Sequence, residues 1–219
     1  MSLSTSREDY LKAVAEAESE GESVTPSALV RRLEVSAPAV SMALKRLRRD
    51  GLLDLDKTGT IRLTAEGRDI ADRLLRRHHL LERMLVEMFD FEWYKIHDEA
   101  ERLEHAISDD FERKLRDRFG EPDSCPHGNR LGKDSPESRR ARGWLPLSEC
   151  PAGTGAAIRS VYERDRALLE HLDQLHLRPG ASLQVRGRNW DDTLTLAVGG
   201  SDVVLGLRAA ALVWVEVRS

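Results

Sequence analysis

The sequence predicts a mainly α-helical protein with a small β component at its C-terminal end. Three observations lead to this fold class. Roughly the first 50 residues show the apolar spacing and the capping residues of short amphipathic helices. Apolar residues at helical spacing continue to about residue 118. In about the last 40 residues, short runs in which apolar and polar residues alternate are separated by glycines. The chain is long enough for two modest domains, or for one domain with an appendage.

Composition restricts the classes of protein to which the chain can belong. Of its 219 residues, 40% are hydrophobic and 33% are charged, and the net charge is only −4. Cores can therefore form, and any contact with nucleic acid requires a local basic patch. Two cysteines, Cys125 and Cys150, do not make a disulfide framework in a chain of this length. Without a secretion signal or a membrane-length apolar run, we expect a soluble, cytoplasmic protein.

Three helix signals occur in the first part of the chain. Residues 7–20 carry apolar side chains at helical spacing. A second helix is predicted after Thr25, an N-cap residue followed by Pro26, and a third is predicted between Ser36 and Gly51. The side chains of the third helix that we expect in a core are Val40, Leu44 and Leu47.

A β-hairpin is predicted directly after these helices. Leu53 and Leu55 alternate with polar residues before a Lys-Thr-Gly turn, and Ile61 and Leu63 do so after it. Three short helices followed by a hairpin are typical of a winged helix-turn-helix, which binds DNA. Residues 28–50 hold six basic residues against two acidic ones. The alternative is that these arginines only solvate helix faces, but the order of elements favours DNA binding.

Residues from Thr64 to about Arg118 contain no proline, and we expect them to be helical throughout. Their apolar stripe is wide enough to pack on the helix of a partner subunit, and a core helix within one subunit is the alternative. The residues of this stripe are Ile70, Leu74, Leu81, Leu85 and Met88.

The remainder of the chain changes in composition. Residues 119–155 are rich in Gly, Pro, Ser and charge, which predicts a linker, and residues 156–177 are expected to form a helix. Four short runs then predict the strands of a small SH3-like β-barrel. These runs are SLQVRG, TLTLAV, DVVLGL and ALVWVEV.

The stretch HDEAERLEHA carries the clearest chemical signal. On a helix, His97, Glu101, Glu104 and His105 would project from one face. His78 and Glu82 repeat the spacing of four residues further upstream. Two acids and two imidazoles that converge make a good cation site, although such pairs on a helix are also common as solvated ion pairs. Two pairs on consecutive helices after a DNA-binding unit favour the metal site.

The chain resembles the diphtheria toxin repressor family, which includes iron-dependent regulators and manganese transport regulators. The resemblance covers nearly the whole chain. It rests on the motifs SREDYLKAV (6–14), VSAPAVSMALKRLRRDGLL (35–53), RHHLLERML (77–85), HDEAERLEH (97–105) and DSCPHGN (123–129). It implies a repressor that binds a palindromic DNA operator as a homodimer when Mn²⁺ or Fe²⁺ is bound. It also implies three domains, which we expect at 1–64, 65–140 and 141–219.

The resemblance further implies two metal sites per subunit. The primary, activating site corresponds to Asp9, Glu101, Glu104 and His105. An ancillary site corresponds to His78, Glu82 and His97, to which the C-terminal domain lends an acid in some members. The nearest candidates for that acid here are Glu163 and Asp165.

Two departures from the family pattern bear on the choice of metal. Glu101 and Asp9 stand where iron-type members have sulfur ligands, which hardens the site toward Mn²⁺ and Fe²⁺. Lys12 stands where manganese regulators have a second acid, so their closely spaced pair of ions is not expected.

In DSCPHGN, Cys125 and His127 could bind a further ion, but a structural turn is the favoured interpretation. Cys150 has no visible partner.

Contacts with DNA are expected on the third helix and on the wing. The resemblance places base and backbone contacts at Ser36, Pro38, Ala39, Ser41 and Met42. The predicted phosphate contacts are Lys45, Arg46, Arg49 and Lys57.

Two alternatives remain at this point: a regulator that responds to an organic ligand, and a metallohydrolase on a helical scaffold. The absence of H-E-x-x-H and of other catalytic motifs disfavours an enzyme.

Overall fold

The N-terminal unit is three helices followed by a two-stranded hairpin, as predicted. The computed structural model describes residues 4–121, 123–132 and 134–218. The elements of this unit are α1 Thr5–Ser19, α2 Pro26–Leu33, α3 Ala37–Arg49, β1 Leu53–Leu55 and β2 Ile61–Leu63. In the hairpin, Leu53 lies opposite Leu63, and Leu55 lies opposite Ile61.

The capping residues fix where these helices begin and end. The Thr25 hydroxyl accepts a hydrogen bond from the Ala28 amide at 3.2 Å, and Pro26 follows at the first helical position. The Ser36 hydroxyl accepts from the Ala39 amide at 3.4 Å. After α3, Gly51 has φ +73°, a conformation that glycine adopts without strain. The predicted start and end of the third helix are therefore confirmed.

A separate hydrophobic core holds this unit together. Val40, Leu44 and Leu47 point into it, as predicted, and pack with Leu11 and Ile61. Because Leu11 is fully buried there, α1 is part of the N-terminal unit. The opposite face of α1 remains available to the helices that follow.

The expected continuous helix over residues 64–118 is wrong. The structure has α4 Ala65–Phe89, a 3₁₀ turn at Trp93–Lys95, α5 Ile96–Leu103 and α6 Asp109–Phe119. Asp90 ends α4 in the left-handed conformation with φ 50°, and Ser108 caps α6 by accepting from the Phe111 amide. Neither break requires Gly or Pro, so the sequence pattern did not show them.

The apolar stripe of α4 is mostly covered by the chain itself. Leu74, Leu81 and Leu85 are buried, and Ile70 is partly buried against the N-terminal core. For these residues the alternative of a core helix is correct. Met88, at the end of the stripe, is 54% exposed.

Residues 119–155 contain ordered elements, so their prediction as a linker is wrong. The segment includes α7 Pro136–Ala141, β3 Trp144–Pro146 and a 3₁₀ turn at Leu147–Glu149. Asp134 is buried and accepts hydrogen bonds from the Arg130 amide and the Arg142 guanidinium. Gly128, with φ +85°, lies against the backbone of Arg159, and Ser135 caps α7 by accepting a hydrogen bond from the Ser138 amide.

The C-terminal unit is an antiparallel sheet with two short helices. Its elements are β4 Gly155–Val161, α8 Arg166–Gln174, β5 Ser182–Arg188, β6 Thr193–Val198, β7 Ser201–Gly206, α9 Leu207–Ala210 and β8 Val213–Val217. The strand order is β3-β8-β4-β5-β6-β7, and the four predicted strands are confirmed. The helix predicted over 156–177 is wrong in its first half, which is β4. That strand lies between β8 and β5, and its near-continuous burial removes the alternation typical of exposed strands.

One hydrophobic core joins the C-terminal sheet to α4, α5 and α6, which are called the central helices below. Leu81 and Ile96 of the helices pack in the same cluster as Ile158 and Val215 of the sheet. Arg164 links this body to α1 and donates to the two carboxylate oxygens of Glu20 at 2.7 and 2.8 Å. In the described part of the chain, no helix is both long enough and apolar enough to cross a membrane.

Candidate metal and DNA sites

The first group of candidate metal donors forms where α1 and α5 both pack against α4. Asp9 of α1, Glu104 and His105 each offer a donor atom within 4.8 Å of the others. The His105 Nε2 atom lies 2.8 Å from Asp9 Oδ1 and 3.6 Å from Glu104 Oε1. Helix α1 and the turn that follows α5 thus supply one group of oxygen and imidazole donors.

A neighbouring carboxylate orients His105 for this role. His105 Nδ1 lies 2.7 Å from Glu8 Oε2, at hydrogen-bonding distance. When Nδ1 donates to Glu8, the Nε2 lone pair faces Asp9 and Glu104. A carboxylate behind an imidazole is the usual arrangement around protein-bound metal ions. The chemistry of these residues therefore fits a hard divalent cation.

Glu101 lies outside this donor group. Its side chain is 52% exposed, and its Oε1 atom is 3.5 Å from Lys12 Nζ and 3.8 Å from His97 Nε2. Glu104 and His105 both lie beyond Leu103, the last residue of α5, so the four residues predicted on one helix face do not share one helix.

The second donor group is buried between α4 and α5. It consists of His78, Glu82 and His97, as the sequence predicts. His78 Nε2 is 3.2 Å from Glu82 Oε1 and 3.0 Å from His97 Nδ1. The other ring nitrogen of His78, Nδ1, is 2.6 Å from Glu104 Oε2. His78 therefore connects the second group with the first.

A third donor group joins the central helices to the C-terminal unit. It consists of Glu82, Cys125, His127 and Glu163, whose donor atoms lie within 4.8 Å of one another. His127 Nδ1 is 3.3 Å from Glu82 Oε1 and 3.4 Å from Glu163 Oε2. The favoured interpretation of Cys125 and His127 as a plain structural turn therefore misses this convergence. The Cys-Pro-His spacing was the signal that could have found it.

Asp165, the other acid considered at the sequence level, has a different position. Its carboxylate accepts a hydrogen bond from the Leu168 amide at 3.0 Å and caps α8. Glu163 instead accepts from the Asn129 side-chain amide at 2.7 Å and from the Cys125 thiol at 3.0 Å.

Two buried atoms of the third group support a cation-binding role. Among the described residues, Glu82 Oε2 and His127 Nδ1 find no hydrogen-bond partner although both are buried, and leaving such atoms unsatisfied costs on the order of 1–3 kcal/mol each. His127 Nε2 lies 3.3 Å from the Trp93 carbonyl oxygen, so Nδ1, which faces the two carboxylates, is the ring atom that could bind a cation after losing its proton. A bound cation would satisfy both atoms, so these residues fit a metal ion.

Electrostatics in these groups are dominated by burial and by carboxylates. Burial and the Lys12 charge lower the pKa of His78, but Glu82 and Glu104 outweigh them and raise it to about 10. Burial likewise opposes protonation of His127, yet Glu82 and Glu163 raise its pKa to about 9. In the protein without metal, protons on these two imidazoles therefore offset the buried carboxylates.

The candidate DNA contacts lie on α3, at its N-cap and in the turn between β1 and β2. Ala39 is partly buried, and the others are exposed, namely Ser36, Pro38, Ser41, Met42, Lys45, Arg46, Arg49 and Lys57. Beside them, a groove between α2 and α3 has a volume of about 660 Å³. Arg31 and Arg48 also line this groove next to Lys45, and the predicted set omitted both.

Family models match three successive parts of the chain. Residues 2–61 match "Iron dependent repressor, N-terminal DNA binding domain", and residues 64–131 match "Iron dependent repressor, metal binding and dimerisation domain". Residues 145–217 match "FeoA domain".

Similar proteins extend over nearly the whole length of the chain. The iron-dependent repressor IdeR of Mycobacterium leprae is 32% identical, covering 95% of this chain and 96% of that protein. The diphtheria toxin repressor of Corynebacterium glutamicum is 36% identical, covering 90% of each. A solved structure described as a manganese-dependent transcriptional repressor complex with manganese has a TM-score of 0.81 and 30% identity. It covers 97% of this chain and 100% of that one.

The fold and the buried donor groups define a DNA-binding regulator that responds to a metal ion. The chain belongs to the family of iron-dependent transcriptional repressors that includes IdeR and the diphtheria toxin repressor. The members named here are repressors, which disfavours the metallohydrolase. The convergence of donor groups likewise disfavours a regulator that responds to an organic ligand.

Proposed function

We propose that this protein represses metal-homeostasis genes in the cytoplasm by binding palindromic operators as a homodimer when Mn²⁺ or Fe²⁺ is bound. One observation carries the proposal. Asp9, on the first helix of the DNA-binding unit, lies 2.8 Å from His105, in the turn that follows α5. A cation held by Asp9, Glu104 and His105 would bind both units at once and fix the position of one relative to the other.

Charge explains why the ion would act as a switch. Without a cation, the carboxylates of Glu8, Asp9, Glu101 and Glu104 crowd this region and favour separation of α1 from the central helices. A bound cation offsets that repulsion. It shifts the equilibrium only by the difference in its affinity for the docked and undocked arrangements. A hundredfold difference corresponds to roughly 2.7 kcal/mol, enough to make a minor arrangement the major one.

The donor atoms of the first group suit Mn²⁺ and Fe²⁺. Asp9 and Glu104 offer oxygen and His105 offers nitrogen, with no sulfur among them. Hard oxygen-rich sites favour these ions over softer ones. Glu82 is shared between the second and third groups, so we propose one further ion there, held by residues from both groups, with Glu163 supplied by the C-terminal unit.

Two exposed apolar side chains support dimerisation through the central helices. Met88 and Phe89, at the end of α4, are 54% and 63% exposed. Exposed apolar patches of this kind mark protein–protein contacts. A second copy of the chain would cover them and would pair two α3 helices for adjacent major grooves, whose spacing is about 34 Å or a multiple of it.

The exposed face of α3 suits modest base specificity. Pro38, Ala39 and Met42 offer apolar contacts to thymine methyl groups rather than bidentate hydrogen bonds. Part of the selectivity would then come from the shape of the DNA.

Selection from a random duplex pool tests this function. In the presence of Mn²⁺, we expect the full-length protein to select and protect a palindrome, and light scattering to report a dimer on the DNA. A protected single half-site would contradict the dimer. Equal selection with a chelator present would contradict the role of the metal.

Lys45 is expected to bind phosphate rather than a base. Replacing it with alanine should weaken binding to the operator and to unrelated DNA by similar factors, and should lower the slope of log Kd against log salt by about one. Salt titrations monitored by fluorescence anisotropy measure both. Lys114→Ala, which changes an exposed lysine on α6, is the matched control. A loss confined to the operator would show that Lys45 contacts a base instead.

A further inference from the structure

A buried lysine lies between the first two donor groups. Lys12 of α1 is only 4% exposed, and its Nζ atom donates to both carboxylate oxygens of Glu104 at 2.9 Å. The same atom lies 3.2 Å from His78 Nδ1 and 3.5 Å from Glu101 Oε1. Its ammonium therefore contacts one candidate ligand from each of these two groups, Glu104 and His78, and a second acid, Glu101, at the edge.

The ammonium and a metal ion need the same oxygen atoms. Both oxygens of Glu104 are engaged by Lys12, and Glu104 is itself buried. A buried carboxylate is unfavourable unless a cation or hydrogen-bond donors compensate it, and Lys12 supplies both. A divalent ion bound to Glu104 would share the carboxylate lone pairs with the Lys12 ammonium or displace the ammonium from them. In either case the positive charge of the ammonium, a few ångströms away, would repel the ion.

We infer that Lys12 is a tethered counter-ion that competes with the activating metal for Glu104 and thereby sets the metal concentration at which the repressor switches. This inference rests on the proposed function. The ammonium weakens metal binding in two ways. It stabilises the metal-free arrangement by compensating Glu104, and it repels the incoming cation. The same contact offsets only part of the repulsion between the carboxylates when no metal is present.

Neutral and charged replacements separate this role from simple packing. Lys12→Met keeps the length of the side chain and removes its charge, whereas Lys12→Arg keeps the charge. We expect the full-length Lys12→Met protein to bind Mn²⁺ at the first group at least about tenfold more tightly than the wild type. The Lys12→Arg protein should remain within about threefold of the wild type. Calorimetry, or the electron paramagnetic resonance signal of free Mn²⁺, measures both affinities without DNA.

A second neutral variant keeps the test decisive if Lys12→Met fails to fold. If Lys12→Met does not give the circular dichroism spectrum of the folded protein, Lys12→Gln replaces it, because an amide can still donate to Glu104. A Mn²⁺ affinity of the folded neutral variant that is unchanged or weaker than that of the wild type would overturn the inference. An equal gain in affinity for Lys12→Arg would also overturn it, since the charge would then be irrelevant.

Glu104→Gln distinguishes failure of this inference from failure of the proposed function. The binding event that this variant loses identifies the first group in the calorimetric trace. If Glu104→Gln loses that event and the neutral Lys12 variants bind like the wild type, only the role of Lys12 is wrong. If Glu104→Gln binds Mn²⁺ like the wild type, the site assignment itself is wrong, and with it the inference.

Discussion

Replacing Glu104 with alanine or glutamine is expected to abolish metal-stimulated operator binding. Glu104 is buried, lies 3.6 Å from His105 Nε2, and supplies the carboxylate of the central helices to the first donor group. Without it, a cation bound to Asp9 and His105 would lose one of the two anionic ligands that offset its charge. We expect Mn²⁺ affinity at this group to fall at least about a hundredfold, since changes one shell further from a metal already cost about ten- to a hundredfold.

Glutamine is the sharper of the two replacements. It keeps the size of Glu104 and can accept a hydrogen bond from Lys12, so the fold should persist. Glu99→Gln is the matched control, because Glu99 lies on α5 but pairs with Arg102 at 2.9 Å. Operator titrations with and without Mn²⁺ measure the effect. If Glu104→Gln kept a wild-type response to Mn²⁺, the assignment of the first group would be contradicted.

Metal binding at the buried groups is expected to release protons and to strengthen steeply with pH. The pKa of His78 is raised to about 10 and that of His127 to about 9, chiefly because nearby carboxylates outweigh burial. Both rings are therefore protonated at neutral pH and must lose a proton before binding a metal. For each proton released, affinity rises about tenfold per pH unit until the pH reaches the pKa.

The raised pKa values of these two histidines also affect the stability of the metal-free protein, but with the opposite dependence on pH. A histidine whose pKa is higher in the folded chain than the unfolded value of about 6.5 contributes stability that is fully present below that value. That stability is lost as the pH rises from about 6.5 toward the folded pKa of about 9 for His127 and about 10 for His78. Raising the pH should therefore destabilise the metal-free form while it strengthens metal binding.

Calorimetry in buffers of different ionisation enthalpy counts the released protons. We expect at least one proton per ion at the buried groups near neutral pH, and about one fewer in His127→Gln. His171→Gln, an exposed histidine on α8, is the matched control and should not change the count. A pH-independent affinity with no proton release would show that these imidazoles are neutral before the metal binds.

Local signals predicted the N-terminal unit well because its elements are short and capped. Thr25, Ser36 and Gly51 fix helix ends through hydrogen bonds and backbone geometry that are local in sequence. Prediction failed where tertiary contacts decide the structure. Asp90 ends α4 in a left-handed conformation without any glycine, and residues 155–161 form a strand because two neighbouring strands cover it.

In the candidate sites, too, local patterns were visible in the sequence, whereas groupings that depend on tertiary contacts were not. Pairs at helical spacing, such as His78 and Glu82, were visible in the sequence, and the family resemblance supplied Asp9 and Glu163. Cys125 and His127 lie in a turn, where no periodicity relates them to α4. Only the folding of that turn between the central helices and the sheet brings them to Glu82. The burial of Lys12 against Glu104 likewise depends on how α1 packs on α4.

The most direct test of the account is operator affinity before and after removal of the metal. The account holds that a cation joins Asp9 of α1 to Glu104 and His105 and so positions α3 for DNA. After thorough chelation, the wild-type protein should bind its operator about a hundredfold more weakly, and stoichiometric Mn²⁺ or Fe²⁺ should restore the affinity. Equal affinity for the operator with and without the metal would contradict it.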